Sequence, residues 1–220
     1  MSQMNPDTAR FNMVEQQIRP WNVLDQRILD LLNSSPRREY LPEEYRHLAY
    51  VDMNVPLGYG QFVIAPKLEA RFLQALQIKP TDIILEVGTG SGHFTSLLAA
   101  LAKHVYSVEL VPELKMMAEK NLSAHKIQNV TLEIGDAANG WDLHKPYDVI
   151  VITGSLLSLS SNFQESLAVG GRLLATVGDS PVMEVILNRK IGPNNWILSS
   201  LFETDLPALN NIHHPEKFIF

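Results

Sequence analysis

The sequence predicts an α/β protein with a doubly wound, mostly parallel sheet, helices on both faces and an N-terminal helical segment. From residue 83 onward, short aliphatic and β-branched runs alternate with stretches whose apolar residues recur at helical spacing. Repeated β–α units of this kind pair their strands in parallel through right-handed crossovers. With 220 residues, of which 45% are hydrophobic and 19% charged, the chain can build one such core and a modest addition.

Charge and composition exclude several function classes. The net charge is −6 and the sequence pI is about 5.6, whereas nucleic-acid-binding domains carry a basic surplus, so we expect no nucleic-acid partner. The chain contains no cysteine, which excludes disulfides and thiolate chemistry, and we expect no metal site. The N-terminal residues lack the blocks of a signal peptide, and no apolar run approaches the ~20 residues of a membrane span. We therefore expect a cytoplasmic protein without a membrane partner, and the oligomeric state stays open.

Two helices are predicted near the N-terminus, over residues 7–19 and 25–32. The apolar residues of the first helix recur at i, i+3 and i+7, which places them on one face. They are Phe11, Val14 and Ile18. We expect residues 1–54 to form a helical segment packed on the main domain, 55–220, because so small a piece is marginal alone.

Residues 55–66 are predicted to form a loop, since glycine and proline interrupt the segment repeatedly. The loop carries apolar side chains where a solvated linker would be polar, so we expect it to pack over another part of the molecule. A helix over 66–77 follows, with Pro66 at its first position. Its apolar face consists of Leu68, Phe72, Leu73 and Leu76.

The main sheet is predicted from β-favouring runs that are joined by helical patterns. The strands cover residues 83–87, 104–109, 130–134, 148–152 and 171–177. The intervening helices cover residues 93–102, 112–125 and 162–167. Later β-like runs lie at residues 182–187, 196–202 and 217–220. Ligands of such sheets bind beyond the carboxyl ends of the strands, at the point where the strand order reverses.

A glycine-rich turn follows the first of these strands. Residues 86–92 read Glu-Val-Gly-Thr-Gly-Ser-Gly, and the glycines allow positive φ and close approach of the backbone to a ligand. The next helix offers unpaired N–H groups at its N-terminus. A dinucleotide fingerprint would need a third glycine at position 93, where this chain has His93, so a dinucleotide-dependent oxidoreductase is disfavoured. We expect His93 itself to be half-exposed rather than catalytic.

The form Glu-x-Gly-x-Gly-x-Gly resembles the first motif of S-adenosylmethionine-dependent methyltransferases. The resemblance implies S-adenosylmethionine as the cofactor. It also implies that the Glu86 carboxylate and the backbone of the glycine turn receive the methionine end of that cofactor. The turn residues concerned are Gly88, Thr89, Gly90 and Gly92.

Residues that follow the later strands complete the predicted site. Glu109 ends the second strand, where a carboxylate can accept hydrogen bonds from both ribose hydroxyls, and Leu110 follows it. In methyltransferases an acid placed like Asp136 commonly receives the adenine amine, with the backbone of Ala137 beside it. The alternative for Asp136 is a turn residue that binds its own backbone. Thr153, at the end of the fourth strand, is expected to line the methyl-transfer site.

Four segments together resemble the protein-L-isoaspartate O-methyltransferase family. They are residues 14–19 (Val-Glu-Gln-Gln-Ile-Arg), 56–61 (Pro-Leu-Gly-Tyr-Gly-Gln), 85–92 and 170–173 (Gly-Gly-Arg-Leu), in order and at similar spacing. The glycine motif marks only the methyltransferase superfamily, and the first two segments narrow the resemblance. It implies a Rossmann-like methyltransferase fold, a protein or peptide carboxylate as substrate, and methylation of L-isoaspartyl residues in damaged proteins, which is a repair reaction.

The substrate loop departs from the family pattern. The family usually continues its Gly-Gln pair with Thr-Ile-Ser, and the serine hydroxyl touches the substrate carboxylate, whereas residues 62–64 here read Phe-Val-Ile. Losing one hydrogen bond to a charged group costs roughly 1.5–3 kcal/mol. The residues expected to line the substrate are therefore Ile64 and two that could offset the loss, Gln61 and Thr153. Two alternatives stay open, namely a relative that methylates a different carboxylate or small molecule, and a cofactor-binding protein without catalysis.

Overall fold

The computed structural model describes residues 5–211. Its α-helices are α1 (Pro6–Asn12), α2 (Gln26–Ser34), α3 (Pro66–Leu76), α4 (His93–Leu101), α5 (Pro112–Ala124) and α6 (Ser161–Glu165). Its strands are β1 (Val55–Gly58), β2 (Gln61–Val63), β3 (Ile83–Val87), β4 (His104–Glu109), β5 (Val130–Ile134), β6 (Tyr147–Leu156), β7 (Leu167–Asp179), β8 (Val182–Gly192) and β9 (Asn195–Thr204). A π-helical turn over Met13–Ile18 and short 3₁₀ turns over Arg19–Trp21, Arg37–Tyr40 and Glu43–Leu48 complete the regular structure.

A seven-stranded sheet in the order β5-β4-β3-β6-β7-β8-β9 forms the centre of the protein. The strands from β5 to β7 run parallel, and β8 and β9 extend the sheet antiparallel at one edge. The predicted doubly wound, mostly parallel fold is therefore confirmed. The strand order reverses between β3 and β6, because the chain builds β4 and β5 on one side of β3 and then crosses to the other. The β-like run predicted at 217–220 lies outside the described residues.

Apolar side chains cover both faces of this sheet. Ile84 on β3 belongs to a core cluster that also contains residues of α3 and α4, such as Phe72 and Leu97. Its neighbours Leu85 and Val87 point to the opposite face, into a second cluster. The alternation follows from the two-residue period of a strand, and both faces are apolar because helices cover each side of a parallel sheet.

The N-terminal helical segment contributes to the same core as α3. Val14 and Ile18 are fully buried there, as predicted. Phe11, which was predicted to share one apolar face with Val14 and Ile18, is 56% exposed instead. Met13 is buried beside them. The reason is that the chain winds as a π-helix from Met13 onward, where the wider turn breaks the 3.6-residue spacing.

Within the segment predicted as a loop over 55–66, residues 55–63 form a β-hairpin. Strands β1 and β2 pair antiparallel, with Val55 opposite Val63. The turn between them passes through Gly58, Tyr59 and Gly60, all with positive φ. The expectation that the segment packs over the main domain is confirmed, because buried side chains of both strands contact Leu114 of α5. Of the helices described in residues 5–211, none has the length and apolar character needed to cross a membrane.

Candidate active site

A cavity lies at the carboxyl ends of β3, β4 and β6, where the strand order reverses. We call it the main cavity. The glycine turn, the end of β4 and the start of the β5–β6 connection form its walls, and the hairpin and the segment after β9 close it. Among its lining residues are Asn54, Gln61, Ile64, Glu69, Gly88, Thr89, Gly90, Glu109, Leu110, Asp136, Ala137, Thr153 and Leu209. Most of the predicted site residues are thus brought together, whereas Glu86 and Gly92 are not among the lining residues.

Thr153 and Gly88 fix the floor of the main cavity. The Thr153 hydroxyl lies 2.9 Å from the carbonyl oxygens of both Val87 and Gly88 and donates to them. Gly88 has a φ of +93°, and a β-carbon at this residue would lie 2.3 Å from the Thr153 Oγ1 atom. Thr153 of β6 therefore packs directly against the backbone of the glycine turn, and its single hydroxyl hydrogen is used in hydrogen bonds to that backbone.

Glu109 braces the glycine turn from the neighbouring strand. Its Oε2 accepts a hydrogen bond from the Gly90 N–H at 2.8 Å, and its Oε1 accepts from the N–H groups of Leu110 and Val111 at 2.9 and 3.0 Å. A carboxylate offers about four lone-pair positions, so about one remains for a ligand hydroxyl. The carboxylate is 5% exposed and lines the cavity.

Glu86 lies behind the glycine turn and does not line the main cavity, so the structure does not support its predicted contact with a ligand. Its side chain is fully buried, and Oε2 accepts hydrogen bonds from the hydroxyls of Thr95 (2.5 Å) and Ser107 (2.6 Å). Burial raises the pKa of Glu86 to about 8, although both hydroxyls lower it. Glu86 alternates with Leu85 along the strand and therefore shares the face of Ile84, beneath α4.

Gly92 was also predicted to contact the ligand, but it does not line the main cavity. It serves the packing of two helices instead. It caps the N-terminus of α4 with a φ of +81°. A β-carbon there would lie 3.2 Å from the Ala118 β-carbon on α5. The glycine therefore lets α5 approach the start of α4 closely, which a larger residue would prevent.

Asp136 and Ala137 form the wall beyond β5. The Asp136 Oδ1 accepts a hydrogen bond from the backbone N–H of Ala138 at 3.0 Å, which is the turn interaction that the sequence left open. Its Oδ2 accepts from the Asn211 side-chain amide at 3.1 Å. Both Asp136 and Ala137 line the main cavity, so the turn bond orients the carboxylate without removing it from the site.

A buried polar cluster lies against the cavity beneath the hairpin. It consists of Ser35, Arg37, Glu69 and His93, each at most 7% exposed. Arg37 Nη1 donates to Glu69 Oε2 at 2.5 Å, and His93 Nδ1 lies 3.0 Å from Glu69 Oε1. His93 Nε2 lies 2.9 Å from the Ser35 hydroxyl. The expectation that His93 is half-exposed was wrong, since it is 1% exposed.

Mutual contacts determine the charges in this polar cluster. Burial alone would raise the pKa of Glu69, but the neighbouring Arg37 charge, His93 and their hydrogen bonds outweigh it and hold the pKa below its usual value. Burial lowers the pKa of His93, and Glu69 offsets only part of that shift. The cluster is thus an Arg37–Glu69 ion pair with a neutral imidazole. Because Arg37 Nη2 also donates to the carbonyl oxygen of Ile64 at 2.7 Å, the pair holds the end of the hairpin.

Among the lining residues of the main cavity that sequence reasoning missed are Asn54, Glu69 and Leu209. Glu69 precedes Phe72, Leu73 and Leu76 by three, four and seven residues, so helical spacing alone would have placed it on the buried face of α3. Asn54 directly precedes the hairpin, which the sequence predicts as a loop. Leu209 belongs to a segment without regular structure, where no pattern in the sequence indicated a contact.

The segment after β9 returns to β6 and covers the cavity. Ser155 N donates to the Pro207 carbonyl at 2.9 Å, and Leu209 N donates to the Ser155 carbonyl at 3.0 Å. A β-carbon on Gly154 would lie 2.8 Å from the Leu209 side chain, so the small residue permits this close approach. Within residues 5–211, no group of three or more His, Asp or Glu side chains is gathered in a way that could hold a metal ion.

Comparison with known proteins identifies the family from the sequence. The sequence model of the family described as protein-L-isoaspartate(D-aspartate) O-methyltransferase (PCMT) matches residues 9–201. A protein-L-isoaspartate O-methyltransferase of Synechococcus sp. is 37% identical over 174 residues, covering 79% of this chain and 71% of the relative. The protein of that name from Protochlamydia amoebophila is 38% identical over 168 residues, covering 76% of this chain and 80% of the relative.

Solved structures show the same fold. A structure titled protein-L-isoaspartate O-methyltransferase superposes with a TM-score of 0.77 at 23% identity, covering 92% of this chain and 66% of the other. A putative enzyme of this kind from Plasmodium falciparum, in complex with S-adenosyl-L-homocysteine, superposes with a TM-score of 0.75 at 20% identity, covering 91% and 98%. Since the sequence model spans most of the chain and relatives above 30% identity cover more than two thirds of it, the protein belongs to the protein-L-isoaspartate(D-aspartate) O-methyltransferase family.

Proposed function

We propose that the protein transfers the methyl group of S-adenosylmethionine to the free carboxyl group of L-isoaspartyl residues in proteins and peptides. The observation that carries the proposal is a single cavity shared by the glycine turn and the hairpin. In the family, the first of these features receives the cofactor and the second receives the acceptor. Membership of the family over residues 9–201 supports the substrate class.

The walls of the main cavity fit the cofactor. Gly88 and Gly90 present bare backbone with positive φ, which allows close approach of an amino-acid end group. Glu109 keeps an acceptor position for a ribose hydroxyl, and Asp136 offers a carboxylate to an amine donor. Leu110 and Ala137 would contact the adenosine part, with Thr89 and Thr153 at the methionine end. When bound, the cofactor supplies a methyl group on a positively charged sulfur.

The reaction needs positioning more than acid–base chemistry. An aspartyl-type carboxylate has a pKa of about 4, so it is already an anionic nucleophile at neutral pH and needs no base. One C–O bond forms and one S–C bond breaks, and the negative and positive charges cancel without proton transfer. The chain must therefore hold the acceptor oxygen in line with the methyl group and exclude water. We assign this role to the wall formed by Gln61, Ile64 and Thr153.

A second candidate function is methylation of a different carboxylate or small molecule. The observation that favours it is Ile64, which lines the cavity where the family has a hydroxyl. An apolar wall at this point would suit an acceptor with apolar substituents beside its carboxylate.

The deciding experiment measures transfer of labelled methyl groups to an isoaspartyl peptide and to its normal aspartyl twin. We expect base-labile methyl ester on the isoaspartyl peptide alone. Gly88→Ala serves as the inactive control, because its added β-carbon would collide with Thr153. Protein that binds the cofactor in a calorimeter yet esterifies neither peptide would overturn the proposal. Esterification of both peptides at equal rates would favour the second candidate.

A further inference from the structure

We propose that the side-chain amide of Asn54 donates the hydrogen bond that receives the acceptor carboxylate, in place of the hydroxyl that Ile64 removes. The inference rests on the proposed function and deepens it, since it names the group that recognises the acceptor. It assigns a specificity-determining role to a residue that precedes the hairpin and that no sequence pattern singled out.

The hairpin register places Asn54 beside Ile64. Val55 lies opposite Val63 in the antiparallel pair, so the next pair outward is Asn54 and Ile64. A hydrogen bond confirms the proximity, since the backbone N–H of Ala65 donates to Asn54 Oδ1 at 2.9 Å. A polar group on Asn54 therefore stands across the hairpin from the residue whose hydroxyl is missing.

This hydrogen bond also orients the amide. The backbone N–H of Ala65 is a donor, so the atom that it contacts on Asn54 must be the oxygen. The NH₂ group then occupies the other branch of the side chain, and it donates to no protein atom within residues 5–211. Since Asn54 is partly buried and lines the main cavity, its two N–H bonds are available to a ligand there.

Three other polar side chains at the cavity, those of Thr153, Thr89 and Gln61, are less suitable donors. The Thr153 hydroxyl gives its only hydrogen to the turn backbone. The Thr89 hydroxyl is 2.6 Å from that of Ser107, which in turn donates to Glu86. Gln61 lines the cavity, but no hydrogen bond within the described residues orients its amide. Asn54 combines a free donor with a fixed direction, which is what recognition of a carboxylate requires.

Asn54 also stands where the acceptor must enter. A second depression, the outer cavity, is lined by residues of the β7–β8 turn and of the segment after β9. Three residues line both cavities, and they are Asn54, Pro207 and Ala208. A polypeptide lying in the outer cavity would therefore pass the Asn54 amide before its isoaspartyl carboxylate reached the methyl group.

The test is Asn54→Asp. This variant keeps an oxygen for the Ala65 N–H and replaces the NH₂ donor with a second anionic oxygen, which would repel the acceptor carboxylate. We expect kcat/KM for the isoaspartyl peptide to fall by about 10- to 150-fold or more, the range for a hydrogen bond to a charged group. Affinity for S-adenosylhomocysteine should not change, and rates are normalised to the fraction of protein that binds it, so partial unfolding cannot mimic the effect.

The matched control is Asn194→Asp, which makes the same charge change at an exposed residue in the β8–β9 turn. It should retain wild-type kcat/KM. An Asn54→Asp variant with wild-type kcat/KM would overturn the role of Asn54 and leave the proposed function intact. Wild-type protein that binds the cofactor but never esterifies the isoaspartyl peptide would overturn the proposed function, and the role of Asn54 with it.

Discussion

The hydroxyl oxygen of Thr153 lies only 2.3 Å from the point where a β-carbon on Gly88 would be. The same hydroxyl donates to the carbonyl oxygens of Val87 and Gly88, so it cannot turn away without losing that interaction. Thr153 on β6 and Gly88, the first glycine of the turn, therefore fit each other closely in size and hydrogen bonding. Their contact fixes the path of the backbone that borders the main cavity.

Replacing Gly88 with alanine should abolish cofactor binding, and Gly170 offers a matched control. Both glycines have φ close to +90°, but a β-carbon on Gly170 would meet no atom within 4 Å. Each alanine carries the same backbone penalty of about 1–2 kcal/mol. Only Gly88→Ala should also lose measurable affinity for S-adenosylhomocysteine, as determined by calorimetry. Equal affinities in the two variants would contradict the role given to the turn.

The sequence predicted the sheet better than it predicted the direction of individual side chains. Strands β3, β4 and β5 have the bounds that their apolar runs indicated. The motif also suggested that Glu86 would face a ligand, whereas strand alternation turns it beneath α4, towards Thr95 and Ser107. The two-residue alternation of a strand, in which Glu86 shares the face of Ile84, indicates this direction where the motif does not.

Long-range contacts account for the features that local patterns did not indicate. The hydrogen bonds of the buried His93 ring are made to Glu69, which is 24 residues away in the sequence, and to Ser35, 58 residues away. The position of Asn54 beside Ile64 follows from the hairpin register and not from any local pattern. Local periodicity cannot reveal such contacts, because they arise when separate elements pack together.

The buried carboxyl group of Glu86 should make stability depend on pH. Its pKa is about 8 in the folded protein against 4.5 for an ordinary glutamate. The folded state therefore binds the Glu86 proton more tightly than the unfolded state does. The resulting contribution to the free energy of unfolding is fully present below pH 4.5 and is lost as the pH rises towards 8. Glu86→Gln imitates the protonated form and cannot ionise. Between pH 4.5 and 8, we expect the free energy of unfolding of Glu86→Gln to rise relative to that of the wild type by about 1.4 kcal/mol for each pH unit.

The measurement is urea unfolding of both proteins at several pH values. The difference between them isolates Glu86 from the other titrating groups, since those are common to both proteins. A difference that stays constant from pH 5 to pH 8 would show that Glu86 ionises normally in the folded protein.

Removing one charged partner of the Arg37–Glu69 pair should reduce stability more than replacing both partners with apolar residues. Glu69→Gln leaves the Arg37 charge buried without compensation, and removal of one partner of such a pair costs about 3–5 kcal/mol. The double variant Arg37→Met, Glu69→Leu removes both charges and should recover most of that loss in urea unfolding. It should still raise KM for the isoaspartyl peptide, because the Ile64 carbonyl loses its Arg37 donor. Wild-type KM in the double variant would mean that the pair does not position the hairpin.

Restoring a serine at position 64 should weaken the protein without improving methyl transfer. Ile64 is 7% exposed and belongs to the main core cluster, so Ile64→Ser removes buried methyl groups and should cost about 2–5 kcal/mol of unfolding free energy. The matched control Ile64→Val should cost only about 0.5–1.5 kcal/mol. Because the Asn54 amide already serves the acceptor, kcat/KM of Ile64→Ser on the isoaspartyl peptide should not exceed that of the wild type. A rise of about tenfold or more, the value of one hydrogen bond to a charged group, would show that the natural pocket lacks a donor and accepts another substrate.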